Sequence, residues 1–217
     1  MSVSLDAFTL AQMAKQVFHL ADISNNVDSI MAVGKKANIR YTTDAHGSSA
    51  LVIQTPPMIA PFGVSKYDNK GQIRFTLDLR MEDNSDVDVR NFWEAIETRI
   101  KQIARQNSIE LFGKSVGDDL IDALFTSSIK ENPSGDFPPL LRCVVPNKNG
   151  DMDCDFYGDD GSTGDGCQPS RGDRVQAIIE LTRIWTMDKQ FGCTPVVRAV
   201  KVLAKENGHR NTFTFLD

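Results

Sequence analysis

Trp185 stands in the stretch IWTMDKQFGCT, with Arg183 two residues before it, Lys189 in a polar turn and Phe191 just beyond. A ring set among cations has two uses. It can close a core, or it can stack on something flat while the cations neutralise charge. On an unpaired nucleobase such stacking contributes about 1–3 kcal/mol per base. Lys66, Tyr67 and Lys70 form a second set of the same kind, in a stretch rich in turn formers. Arg40, Arg74 and Arg80 alternate with apolar residues, and Arg198 and Lys201 sit among valines. Taken singly, each cation is equally a solvated charge and each ring equally a plug for a barrel mouth. The set carries more weight, because its members gather in strand-like segments.

Other chemistry finds less support. Six aspartates fall between Asp151 and Asp165. A calcium loop starting at Asp151 would need Gly at its sixth position and Glu at its twelfth; Phe156 and Ser162 stand there. Asp151, Asp153 and Asp155 alternate with Met152, Cys154 and Phe156, which reads as a strand with an acidic outer face followed by a Gly/Asp loop. Carboxylates on one face can hold Mg²⁺ in a two-metal nuclease, but no general base accompanies them. Cys143, Cys154, Cys167 and Cys193 contain no CxxC pair, and His19, His46 and His209 lie in unrelated segments, so the common zinc spacings are absent. There is no phosphate-binding GxxxxGK[ST] loop, no GxGxxG, no GxSxG and no HExxH. The reading is a protein without catalytic residues, metal or cofactor. The RGD at Arg171–Asp173 reads as a turn into the next strand.

The net charge of −5 hides a segregation. Residues 31–81 hold seven Lys/Arg against three acids, and residues 174–217 hold seven against four. Residues 82–173 hold nine against nineteen. Screening confines each charge to about 8–10 Å, so a local basic surface matters more to a polyanion than the total does.

The elements that must position these residues follow from periodicity. The first 23 residues read as an amphipathic helix with Leu5, Phe8, Met13, Val17 and Leu20 near one face. They do not resemble a secretory signal, and no apolar run is long enough for a membrane helix. KKANIRYTT and ALVIQT read as a hairpin. PPMIAPFGVSKYDNKG reads as a Pro/Gly-rich connection. QIRFTLDLR alternates, with Ile73, Phe75, Leu77 and Leu79 inward and Gln72, Arg74, Thr76, Asp78 and Arg80 outward. A helix follows, with Val89, Phe92, Ile96, Ile100 and Ile103 in one stripe, Asp86 or Asp88 as its cap and Trp93 in the core. GDDLIDALFTSSI reads as a shorter helix and LLRCVV as a strand. RVQAIIELTRIWTM and VVRAVKVLAK form a long hairpin around the turn DKQFGCTP. On its first strand Val175, Ala177, Ile179 and Leu181 share a face that Arg183, Trp185 and Met187 continue.

The order of elements predicts a mainly β protein with inserted helices: an OB-like Greek-key barrel with an N-terminal helix and a helical insertion. The predicted organisation is an N-terminal helical segment over 1–30, a barrel domain over 31–207 and a tail over 208–217. The helical insertion covers about 86–130, and an acidic loop covers 147–170.

Two stretches carry a resemblance. APFGVSKYDNKGQIRFTLDLRMEDNSDVDVRNFWEAIE and RGDRVQAIIELTRIWTMDKQFGCTPVVRAVKVLAKE resemble the replicative single-stranded DNA-binding protein family of short-tailed phages and its relatives in large eukaryotic DNA viruses. Together they cover roughly a third of the chain. The resemblance implies an OB fold, sequence-independent binding of single-stranded DNA and a role in viral replication and recombination. It also implies polymerase contact, a capacity to dimerise and an intracellular site of action. Trp185 and its basic neighbours match the family's hairpin; Arg74 and Arg80 match its basic strand. The chain departs from the family at HRNTFTFLD, where the family carries a long acidic tail. The set expected to bind nucleic acid is therefore Arg40, Lys66, Tyr67, Lys70, Arg74, Arg80, Arg183, Trp185, Lys189, Phe191, Arg198 and Lys201. The alternatives are a viral structural protein, such as a minor capsid or scaffold component, and a metal-dependent nuclease.

Overall fold

The computed structural model describes residues 17–24, 26–34, 36–44, 47–81 and 88–204. The chain enters with β1 (Phe18–His19), the short helix α1 (Leu20–Ser24) and the strands β2 (Ile30–Val33), β3 (Asn38–Thr43), β4 (Gly47–Gln54), β5 (Met58–Ala60), β6 (Val64–Asn69) and β7 (Gln72–Arg80). Three helices follow: α2 (Val89–Gln106), α3 (Ser108–Phe112) and α4 (Asp118–Leu124). The strands resume with β8 (Ile129–Lys130), β9 (Leu140–Val145), β10 (Asn147–Lys148), β11 (Asp151–Met152) and β12 (Asp155–Tyr157). Two long strands close the order, β13 (Asp173–Met187) and β14 (Gln190–Val202). The structure is mainly β with helices inserted.

Five strands pair in a circuit. β5 pairs with β7, β7 with β9, β9 with β14, β14 with β13, and β13 returns to β5. All are antiparallel except β9 with β14. A circuit leaves no open edge among its members, which is the usual remedy for unpaired backbone groups at a sheet's margin. β13 also pairs with β4, and β4 carries the β3 hairpin on its far side. Inward residues of these strands form one core with α2: Leu77, Leu79, Leu141, Val175, Ile179, Val197, Phe92, Trp93, Ile96 and Ile100 all belong to it.

α2 forms because its apolar residues recur at helical spacing and Asp88 caps it, accepting a hydrogen bond from the Asn91 amide at 2.9 Å. The helix grips both halves of the chain. Arg99 donates to the backbone carbonyls of Ile30 and Asp28 at 3.0 and 2.9 Å. Glu97 accepts from the Ser128 amide and hydroxyl, each at 2.8 Å, and from the Ser127 hydroxyl. The Ser127–Ser128 turn in turn holds Thr126, whose amide donates to the Phe191 carbonyl on β14 at 2.8 Å.

Several sequence expectations need correction. The N-terminal helix is expected to run to Ile23, yet Phe18–His19 is a strand parallel to Ile53–Gln54, and among the described residues of that stretch only Leu20–Ser24 is helical. Phe18 and Leu20 join the core because β1 brings them there. The earlier part of that helix, with Leu5, Phe8 and Met13, lies outside the described residues, as do Asp86, His46, His209 and the tail 208–217. The Pro/Gly-rich connection contains two strands, β5 and β6. β6 forms a hairpin with β7 around Lys70 and Gly71, both at positive φ (52° and 83°), the conformation a two-residue primed turn needs. The acidic strand is two pieces, β11 and β12, with Asp153 and Cys154 between them. Asp78 points outward on β7 but is only 5% exposed, because Arg142 covers it. The last hairpin turns on Asp188 and Lys189 alone, so Gln190–Pro195 belongs to a strand.

Glu97→Ala removes the acceptor for three donors of the 127–128 turn. The expected loss is about 2–3 kcal/mol of stability, since hydrogen bonds to a charged group are the strong ones. Urea denaturation of the two proteins measures it.

Candidate nucleic-acid interface

The outward face of β7 and its neighbours is one continuous surface. Directly opposite residues share a face, so Tyr67 lies beside Arg74, Ser65 and Val144 flank Thr76, and Arg142 lies beside Asp78. Tyr67 is 53% exposed and Arg74 is exposed. Arg142 grips Asp78 with two hydrogen bonds, Nε to Oδ1 at 2.9 Å and Nη2 to Oδ2 at 2.8 Å. The Asp78 hydrogen bond holds the guanidinium more firmly protonated than usual, and the nearby Tyr67 adds to this. Arg142 was missed as a surface group, although its place between inward Leu141 and Cys143 marks it as outward.

Trp185 owes its position to one extra residue. Leu181 opposes Pro195, but Ile184 opposes Cys193, so β13 carries a bulge between them. Here β13 leaves β4 and bridges β3 through Arg183 opposite Asn38. A bulge of one residue inverts the alternation. Ile184 therefore turns inward, while Arg183, Trp185 and Met187 turn out. They do not continue the face of Val175, Ala177, Ile179 and Leu181, which is buried.

The indole is fixed as well as turned out. Its Nε1 donates to Thr194 Oγ1 at 3.0 Å. Its ring rests on Gly192, the residue opposite: a Cβ there would lie 3.0 Å from ring atom Cζ2 and 2.7 Å from the Thr126 carbonyl oxygen. Trp185 stays half-buried, with its remaining surface open. Phe191 has the opposite fate. It is fully buried, edge-to-face with Phe112 and Phe125 at centroid distances of 5.4 Å each. It is a core residue and leaves the stacking set, because an inward strand position replaced the expected loop.

The cations divide into committed and uncommitted groups. Arg198 is the extra residue of a second bulge, between the pairs Ile178–Ala199 and Ile179–Val197. It pairs with the buried Glu180 carboxylate at 2.7 Å. Lys201 lies 3.5 Å from Asp159 in the acidic loop. Lys66 sits over the Phe75 ring at 5.8 Å. Arg40, Lys70, Arg74, Arg183 and Lys189 are exposed and make no ion pair among the described residues. Arg80 is half-exposed at the end of β7. Lys189 also faces Lys114 across a groove of about 510 Å³ between the hairpin tip and α3–α4.

Among the described residues, no three His, Cys, Asp or Glu side chains come together in a way that could hold a metal. Burial, with Asp155 and Asp153 nearby, pushes the Cys154 thiol up to about 12, and burial pushes Cys143 and Cys193 higher. Thiolate is the reactive form, so these three are poor nucleophiles near neutrality. No described helix is long and apolar enough to cross a membrane.

No family model matches the chain, and no curated protein does. Among solved structures, the single-stranded DNA-binding protein from bacteriophage Enc34 in complex with ssDNA is similar at 10% identity and a TM-score of 0.47, over 82% of this chain and 97% of that one. The single-stranded DNA-binding protein gp2.5 of bacteriophage T7 is similar at 10% identity and a TM-score of 0.46, over 75% of this chain and 98% of that one. Overlaps this distant leave the function of this chain to its own residues.

Two outcomes follow from the geometry. Gly192→Ala places a methyl against a backbone carbonyl and the indole, so stability falls by about 1–3 kcal/mol and Trp185 fluorescence shifts; thermal melts followed by emission spectra read both. At pH 8 a thiol reagent labels the buried Cys143 and Cys193 only as fast as the protein opens, which labelling rates with and without urea will show.

Proposed function

We propose that the chain is a non-enzymatic, sequence-independent single-stranded DNA-binding protein built on an OB-like Greek-key barrel. The observation that carries this reading is a half-exposed tryptophan locked on a glycine, on the same β framework as five exposed cations that make no ion pair among the described residues. Sequence-tolerant binding of single strands needs those two components, rings that stack on any base and cations that track phosphates. The strand circuit, with β9 parallel to β14 and helices inserted between β7 and β9, supports the barrel. The two stretches that resemble the phage family contain Lys66–Arg80 and Arg183–Lys201, the segments that build this surface. Under this reading Arg40, Lys66, Lys70, Arg74, Arg80, Arg183 and Lys189 meet phosphates, and Trp185 and Tyr67 meet bases. Arg198 and Lys201, held by carboxylates, contribute less. Viral DNA replication and recombination inside the host cell, polymerase contact and homodimerisation belong to the same proposal.

Binding of labelled poly-dT and of duplex of equal length, each titrated across salt, tests it. The expected result is tight single-strand binding whose logarithm falls with log salt at a slope of about −0.7 per phosphate contact. Arg74→Ala reduces that slope by about 0.7. Trp185→Ala weakens binding about ten-fold or more with the slope unchanged. Arg198→Ala changes the slope less than Arg74→Ala. No single-strand binding at low salt overturns the reading.

A further inference from the structure

A cleft of about 740 Å³ opens at the end of β7, away from Trp185, and no part of the surface described above explains it. Phe62 and Phe137 line it, and both are largely in water, 53% and 66% exposed. Arg80, Lys130 and Arg171 line it as well. Its carboxylate, Glu131, is already neutralised by Arg90 at 2.7 Å. Lys130 donates to the Ser127 carbonyl at 2.7 Å, so the cleft combines two exposed rings with the exposed guanidinium of Arg171 as its main charge.

The backbone that carries each ring is held rather than loose. Phe62 rides a turn in which the Gly63 amide donates to the Ala60 carbonyl at 3.2 Å and the Gly172 amide donates to the same oxygen at 2.8 Å. Gly63 (φ 63°) lies so close to the neighbouring loop that a Cβ would sit 2.5 Å from the Pro169 carbonyl oxygen. Phe137 precedes Pro138 and Pro139, and the Pro139 carbonyl accepts from the Met81 amide at 2.9 Å. Pro fixes its own φ and restricts the residue before it. A preorganised backbone lowers the entropy lost when the rings bind.

We infer that Phe62 and Phe137 form a nucleobase-binding clamp, with Arg171, Arg80 and Lys130 set to meet the flanking phosphates. The inference rests on the proposed function and extends it to a second stacking site. The occupant is a segment of single-stranded nucleic acid, because the lining is basic and aromatic together. An apolar peptide would use the rings but not the guanidinium of Arg171, which makes no ion pair among the described residues. β7 joins the two sites. Arg74 and Arg80 lie six residues apart on its outward face, roughly 20 Å at strand spacing. One strand could then run from Tyr67 and Arg74, past the Asp78–Arg142 pair, into the cleft.

The test compares wild type, the double variant Phe62→Ala/Phe137→Ala and the ring-preserving Phe62→Tyr/Phe137→Tyr in poly-dT binding across salt. A second measurement cross-links wild type to an oligonucleotide carrying 5-iododeoxyuridine and maps the attached peptides. The expected result is about a ten-fold or greater loss for the alanine pair, near-wild-type binding for the tyrosine pair, an unchanged salt slope for both, and cross-links at Phe62 or Phe137. Arg171→Ala lowers the slope by about 0.7. If wild type binds single strands while the alanine pair binds equally well and no cross-link maps to the cleft, the clamp is overturned and the proposed function stands. If wild type does not bind, both fall. Should the alanine pair misfold, cross-linking of wild type decides alone.

Discussion

A single extra residue between Leu181 and Ile184 sets the character of this surface. Without the bulge, strict alternation would carry Arg183, Trp185 and Met187 into the interior behind Leu181. That would bury a guanidinium and leave Ile184 in water. With it, the hairpin keeps its pairing on both sides and exchanges faces midway. At the bulge the Ile184 amide donates to the Ala37 carbonyl at 3.0 Å. The same point is where β13 passes from β4 to β3, so the strand's change of partner and the exposure of its tryptophan are one event.

Everything placed near the hairpin tip depends on that exchange. Inward of it, Ile184, Phe191 and Cys193 extend the core toward the helices, where Phe112 and Phe125 meet Phe191. Outward of it, Gly192 offers the indole a flat seat and Thr194 takes its N–H. A larger residue at 192 would strike both the ring and the Thr126 carbonyl. The helical insertion takes part here as well, because Glu97 fixes the turn that delivers Thr126 to β14. The indole is thus supported from underneath by a helix far away in sequence.

Much of this was legible in the sequence. The alternation of β7, the stripe and cap of α2 and the long final hairpin all follow from periodicity and turn chemistry. What was not legible involved partners distant along the chain. Asp78 looked like a solvated outward acid until Arg142, 64 residues later, was seen to cover it. β6 was hidden by the prolines and glycines before it, although Lys70–Gly71 is a primed turn between residues that pair. DKQFGCTP reads as one long turn that includes Phe191, whereas a two-residue turn at Asp188–Lys189 places Phe191 at an inward strand position. Phe62 and Phe137, 75 positions apart, gave no local sign of sharing a cleft.

The segregation of charge has a consequence for encounter rather than for affinity. Seen from beyond the screening length, the molecule is a weakly acidic body with little pull on another polyanion. Only at close range do the uncommitted guanidinium and ammonium groups outweigh the acids, many of which lie on the helical insertion and the 151–165 loop. Under the proposed function, attraction would be short in reach and confined to the strands that carry those groups. A thin, pliable chain can follow those strands, whereas a stiff, wide polyanion must press its remaining charge against the acidic flanks. Under the proposed function, selectivity between the two would arise from shape acting through electrostatics, with no group that reads either one directly.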